Sequence, residues 1–156
     1  MNQNRRKGLA AAGGAGLYST LVALGLIPAA SAHAQTINPA AFQTKTLADT
    51  LKALGAVNTL DSKDVLINSP DIAENGAVVP VGVRSNLPKT EQISLMIEKN
   101  PNMLCGTYEI LEGCEPDVSM RVKMGQSSDV IALVKADGKF YMTKKEIKVT
   151  LGGCGG

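Results

Sequence analysis

Val130-Ile131-Ala132-Leu133-Val134-Lys135-Ala136-Asp137-Gly138-Lys139-Phe140-Tyr141-Met142 holds the strongest hairpin signal in the chain. An apolar, β-branched run leads up to Lys135, Asp137-Gly138 supplies two residues that accept positive φ, and Phe140 to Met142 returns. On its N-terminal side, Val118, Met120, Val122 and Met124 alternate with Ser119, Arg121 and Lys123, the period of a half-buried strand. Leu104 to Ile110 is a further strand, turned at Glu112-Gly113 and Glu115-Pro116; if it forms a hairpin with 117–124, Cys114 falls in the turn. Before it, Ile93, Leu95 and Ile97 alternate and are closed by Lys99-Asn100-Pro101-Asn102. The turn signal Asn75-Gly76 precedes Val79, Val81 and Val83, and Pro80 within that run predicts an edge or bulged strand. Asp64 to Asn68 is a short β-prone run, and Ile147, Val149 and Leu151 form the last strand.

At the N-terminal end of this series Asn38-Pro39 supplies a side-chain cap and a proline at the first helical position. Leu47, Leu51 and Leu54 then make one apolar stripe that Gly55 ends, so a helix is expected over 39–54, with a break near Thr44. The fold class that follows is all-β: an immunoglobulin-like antiparallel β-sandwich of about seven strands preceded by one N-terminal helix, with a Greek-key barrel as the alternative. Met120, Met124 and Met142 could form an adaptable docking surface, although core packing is the plainer expectation.

The first residues have a different character. Arg5-Arg6-Lys7 is a basic start, Gly8 to Ile27 carries no charge, and Ala32-His33-Ala34 before Gln35 is a small-x-small cleavage signal. Roughly 20 uncharged residues could cross a bilayer, but Gly13, Gly14, Gly16, Gly25, Ser19 and Thr20 dilute the hydrophobicity and Pro28 breaks the helix. Residues 1–34 are therefore expected to be a cleaved export signal. The paired arginines followed by Leu9 suggest the twin-arginine (Tat) pathway, with Gly8 standing where that pattern prefers Phe. Tat export implies a protein that folds before it leaves the cytoplasm, bound for a bacterial periplasm. Removing 34 of the 156 residues leaves 122, one domain's worth, and losing Arg5, Arg6 and Lys7 takes the formal charge from +2 to −1. Such a surface argues against a nucleic-acid partner, and no membrane attachment is expected of the mature form. The only histidine, His33, goes with the leader, so no Ser-His or Cys-His relay remains, and neither a metal nor a cofactor is expected.

The chain ends Leu151-Gly152-Gly153-Cys154-Gly155-Gly156. Gly152, Gly153, Gly155 and Gly156 leave nothing but the Cys154 thiol projecting from a backbone of maximal freedom. Such a thin tether (152–156, after a domain over 35–151) can enter a narrow channel of another protein. No cation, metal or helix N-terminus beside Cys154 in sequence would activate it, and the nearby terminal carboxylate pushes the other way. Activation has to come from elsewhere, which is the logic of a covalent group carrier rather than of an enzyme.

The last 30 residues, from Ser127-Ser128-Asp129 through the Asp137-Gly138 hairpin to the Gly-Gly-Cys-Gly-Gly terminus, resemble the SoxY family, the sulfur-substrate carriers of the periplasmic thiosulfate-oxidising (Sox) system. The leader, the single helix ahead of an all-β domain and the mature length agree with it. The resemblance implies a heterodimer with SoxZ. It also implies attachment of thiosulfate to Cys154 by the c-type cytochrome SoxXA as a cysteine S-thiosulfonate. SoxB then removes sulfate, and SoxCD, where present, oxidises the sulfur left behind. The chain departs from the family pattern at Cys105 and Cys114. Three cysteines in an oxidising compartment suggest one disulfide and one free thiol, which would make Cys105–Cys114 the bridge. A cysteine in a turn and one well down a strand are awkward to join, and unbridged they could pair with Cys154 or link two chains. Two other readings remain open: a ubiquitin-like carrier using a C-terminal thiocarboxylate, against which the leader argues, and an exported binding module with an incidental tail.

Overall fold

A computed structural model describes residues 38–150; the leader, with Ala32 and Ala34, and the segment 151–156, with Cys154 and its four glycines, lie outside the described residues. The hairpin forms as its sequence predicts. Strands β8 (Ser128–Ala136) and β9 (Lys139–Val149) pair antiparallel from Ala136↔Lys139 to Ser128↔Ile147. Asp137 and Gly138 take φ of 48° and 72°, the left-handed pair that a two-residue turn requires. Glu91 accepts from the Gly138 amide at 2.9 Å and from Lys135 at 2.6 Å, and those bonds hold its carboxyl below the usual range. One expectation needs correction: Phe140–Met142 and the Ile147 run are a single strand. The charges between them do not break it, because Lys144 pairs with Asp129 at 3.4 Å and Lys145 with Asp71 at 2.9 Å.

Seven more strands complete two sheets: β1 (Thr59–Asp61), β2 (Val65–Asn68), β3 (Ile72–Ala73), β4 (Val79–Ser85), β5 (Thr90–Ile97), β6 (Leu104–Glu109) and β7 (Asp117–Val122). The larger sheet runs β1-β9-β8-β5-β6 with β3 also on β9, and the smaller runs β2-β4-β7. Their inner faces meet in one core. Val79, Val81 and Val83 face Ile93, Leu95 and Ile97 together with Val130, Ala132 and Val134, all buried. This is the expected immunoglobulin-like sandwich, with nine strands among the described residues rather than about seven, and with β1 and β3 joining β9 in parallel rather than antiparallel.

Two placements differ from expectation. β4 is the middle strand of its sheet, not an edge, and Pro80 is tolerated because β2 pairs only as far as Gly82 and leaves the chain beyond it open on that side. β6 and β7 are not a hairpin. β6 pairs with β5 and β7 with β4, so residues 110–116 carry the chain from one sheet to the other.

The N-terminal segment splits near Thr44, as predicted. A 3-10 helix, Pro39–Gln43, is capped by Asn38, and α1, Leu47–Ala53, is capped by Thr46. The Thr44 hydroxyl lies 2.7 Å from that of Thr50, which donates to the Thr46 carbonyl at 2.8 Å. Gly55, with φ of 76°, ends the segment. These helices cover the outer face of the larger sheet, where Met96, Met103, Leu104, Ile131 and Leu133 form a second core with Ala41 and Ala56. Every residue of Ile93–Ile97 and of Val130–Val134 is consequently buried. The methionines divide between the layers: Met124 and Met120 pack in the sandwich core, whereas Met142 packs beneath the helices. They make no shared surface, and core packing accounts for them.

Leu133→Ala should cost about 2–5 kcal/mol in urea denaturation because it opens a cavity under the helical layer. Leu60→Ala, at a side chain 51% exposed, should cost less than about 0.5 kcal/mol. Equal costs would mean that the helices do not pack on this face.

Candidate functional site

The end of β9 is where the Cys154 segment begins, and the sequence there is held from two sides. The amide of Lys148 donates to the Asp71 carbonyl at 2.9 Å, and that of Thr150 to the Ala73 carbonyl at 3.1 Å. Between them the Val149 amide donates to the Ser127 hydroxyl at 2.9 Å. β8 has no partner left to offer beyond Ser128↔Ile147, so β3 and Ser127 take over the ladder for the last three residues. The Lys145 ammonium fastens the approach to β3, meeting the Asp71 carboxylate at 2.9 Å and the Ser69 carbonyl at 2.7 Å.

Gly76 lies beneath this junction. The Met124 amide donates to its carbonyl at 2.7 Å. A Cβ at Gly76 would stand 2.3 Å from the Met124 carbonyl oxygen and 2.8 Å from Val149 Cγ1. Glycine is required here for close approach, not for a special φ. Ser127, Asp71, Lys145 and Gly76 were not foreseen as site residues. Asn75-Gly76 is legible as a turn, but nothing local shows that the two residues of β3 pair with a strand more than 70 positions away. From Thr150, the four residues to Cys154 span at most ~14 Å.

The other two cysteines are free. The possible Cys105–Cys114 bridge does not form, for a simple reason of reach. Cys105 is the second residue of β6, and the rest of that strand extends ~13 Å before the chain turns towards Cys114, whereas bonded cysteines need Cα atoms within ~7 Å. Cys105 packs against the sandwich core with its thiol 3.7 Å from the Met103 carbonyl, and burial pushes its pKa up from 9.0 to about 11. Cys114 is exposed in the crossing loop, where Gly113 takes φ of 85°. Among the described residues no group of three or more His, Cys, Asp or Glu could hold a metal ion, and no helix is long and apolar enough to cross a membrane.

Three outcomes are expected from this geometry. A thiol reagent at about pH 8 should modify Cys114 and spare Cys105 until the chain unfolds. The Cys105 thiol ionises later in the folded state than in the unfolded chain, so its contribution to stability is complete below pH 9.0 and is lost as pH rises towards about 11. Cys105→Ala should flatten the stability profile across that window. Gly76→Ala should destabilise by about 1–3 kcal/mol, since a backbone oxygen cannot move aside as a side chain can; a variant as stable as the parent would show that the junction has slack.

Residues 51–154 match the protein family described as sulfur oxidation protein SoxY, a match that extends to Cys154. No curated protein sequence matches the chain. Among solved structures, the sulfur carrier protein SoxY from Chlorobium limicola f thiosulfatophilum is similar, with 33% identity and a TM-score of 0.63 over 70% of this chain and 96% of that one. A superoxide reductase (neelaredoxin) variant from Ignicoccus hospitalis follows at 23% identity and a TM-score of 0.49, covering 55% of this chain and 79% of that one. A putative superoxide reductase from Thermotoga maritima stands at 20% identity and 0.49, covering 62% and 96%. Likeness at that level says nothing about chemistry here. With the family match covering most of the chain and the Chlorobium structure a third identical, this protein belongs to the SoxY family.

Proposed function

We propose that this protein is a periplasmic carrier that holds thiosulfate-derived sulfur covalently on Cys154 and presents it to the enzymes of thiosulfate oxidation. The observation that carries this reading is the family match, which runs through the sandwich and ends on Cys154 itself. The anchored end of β9 supports it, because it gives the segment that leads to Cys154 a fixed starting point, four residues away in sequence. The name of the Chlorobium relative, a sulfur carrier protein, agrees. The leader supports export by the twin-arginine pathway, so the working chain starts near Gln35.

In chemical terms the protein supplies one nucleophile. Loading joins the Cys154 sulfur to the outer sulfur of thiosulfate; the thiol proton goes to water and two electrons leave to an acceptor, for which the c-type cytochrome SoxXA is suited. The product is Cys154–S–S–SO3−. Hydrolysis by SoxB would add water across the bond to the sulfonate sulfur, releasing sulfate and a proton and leaving a persulfide. SoxCD would oxidise that remaining sulfur, and SoxZ would be the stable partner. None of these steps draws a catalytic group from the carrier, so it acts as substrate platform rather than enzyme.

Intact-mass measurement tests the reading directly. After incubation with thiosulfate and the partner enzymes, the mature chain should gain the mass of thiosulfuric acid less two hydrogens, lost again on reduction. Cys154→Ser should gain nothing, while one residue added after Gly156 should leave loading intact, unlike a thiocarboxylate carrier. An unmodified parent chain overturns the assignment.

A further inference from the structure

We infer that the free edge of β7 is an interaction surface for a second copy of this chain: two β7 strands pair antiparallel about a two-fold axis at Ser119 and join the two smaller sheets into one. Strand register and charge carry this, independently of the carrier reading.

Among the described residues β7 is an end strand of its sheet, paired with β4 only. The Ser85 amide donates to the Pro116 carbonyl at 2.9 Å, and Val83↔Val118, Val81↔Met120 and Val79↔Val122 continue that register. In an antiparallel ladder, alternate residues turn both N–H and C=O to the same neighbour. Val118, Met120 and Val122 therefore bond to β4, while Asp117, Ser119 and Arg121 turn their backbone groups outward. Lys123 carries the same phase one step on, and its outward carbonyl accepts from the Asn100 side chain at 2.8 Å. The Asp117 amide is satisfied within its own turn by the Glu115 carbonyl at 2.9 Å. What stays open among the described residues is a short row: the Asp117 carbonyl and both groups of Ser119 and Arg121.

Other edges are protected. β6 has a bulge at Cys105, where Leu95↔Gly106 gives way to Met96↔Leu104, and the Thr44 carbonyl takes the Met103 amide at 3.2 Å. β1 has only three residues, and just past the end of β2 the Lys145 ammonium takes the Ser69 carbonyl at 2.7 Å. Charges on an edge ordinarily discourage pairing. In β7 they are opposite in sign and evenly placed, with Asp117 and Arg121 each two residues from Ser119.

A two-fold antiparallel pair centred on Ser119 sets Asp117 of each copy opposite Arg121 of the other. The two Ser119 residues exchange both of their bonds, and each Arg121 amide donates to the other copy's Asp117 carbonyl. Of the open row, only the Arg121 carbonyl is left to water. Arg84, 3.5 Å from Asp117, holds that carboxylate on the outer face, where the cross-strand ion pair forms. On the inner face Val118 and Met120, both half-buried at the margin of the core, meet Met120 and Val118 of the second copy. Tyr108, 37% exposed, donates its hydroxyl to Met120 Sδ at 3.8 Å and lines the same margin. Pairing thus covers an apolar seam as well as a backbone edge.

Sedimentation velocity on the chain from Gln35 onward tests this, under reductant so that no disulfide contributes. The parent should dimerise reversibly with a dissociation constant of roughly 10–100 μM. Asp117→Lys and Arg121→Glu should each weaken association at least ~10-fold, because each sets like charges opposite one another twice. An equimolar mixture of the two variants should associate about as well as the parent, since each then meets the opposite charge in the other, a result that misfolded chains could not give. Ser119→Pro removes an outward amide that the fold does not use, so it should abolish the dimer and leave the urea midpoint unchanged. A parent that stays monomeric at ~500 μM, as it would if a strand of different sequence were the occupant, overturns the inference. So does a dimer that survives Ser119→Pro, or a pair of folded charge variants that fail to associate on mixing.

Discussion

Burial of β5 and β8 on both faces is the constraint from which the rest of this structure follows. Ile93, Leu95 and Ile97 with Val130, Ala132 and Val134 look into the sandwich, while Met96, Ile131 and Leu133 look out beneath the helices. A strand exposed on one face alternates apolar and polar residues; these two do not, and they demand cover on both sides. The smaller sheet supplies one cover, and the 3-10 helix with α1 supplies the other. The single polar side chain within Ile93–Ile97, Ser94, is satisfied at 2.8 Å from the Thr107 hydroxyl. Without the helical layer an apolar patch of several side chains would face water, which would also explain why a seven-residue α-helix persists where an isolated one would not.

The same arrangement gives β9 two different halves. Up to Ile147 it is held by β8, itself the most buried strand. Past that point it outruns its partner and depends on groups recruited from elsewhere: a two-residue strand, one serine hydroxyl, and a glycine close enough to touch. Lys145 and Asp71 stiffen the recruited strand rather than β9 itself. Their charges are partly exposed, so the ion pair is worth less as attraction than as a way of holding β3 in register.

What could be foreseen from sequence divides along the range of the interactions. The Asp137-Gly138 turn, the Val79–Val83 alternation and the split of the first helix are local and were legible, because φ preference, side-chain period and capping are written in adjacent residues. Long-range pairing was not. Glu112-Gly113 and Glu115-Pro116 signal a reversal but not whether it returns to the same sheet, and here it crosses to the other. Pro80 signals a missing donor but not that the gap lies past the end of β2. The run Thr143–Glu146 has the composition of a break, and only the opposing Asp129 and the nearby Asp71 make it a strand. The candidate site divides in the same way. Cys154 and its glycines can be picked out from composition, whereas Ser127, β3 and Gly76 matter only through contacts that the fold creates.

A carrier with a plain thiol needs no chemistry from its own domain, but it does need a defined length of arm. For a flexible segment of n residues, the mean reach grows only as the square root of n, at roughly 5–6 Å × √n, while the concentration of its end near a fixed target falls as about the −3/2 power of length once the span is exceeded. For a segment of that kind, four residues beyond Thr150 correspond to ~11 Å. Seven would give only ~15 Å of mean reach, at less than half the local concentration. Lengthening such an arm by fraying β9 would thus add little mean reach while diluting its end. A firm junction at the end of β9 keeps the arm of the proposed carrier short, which would make the rigid sandwich, and not Cys154 and its glycines alone, part of how it works.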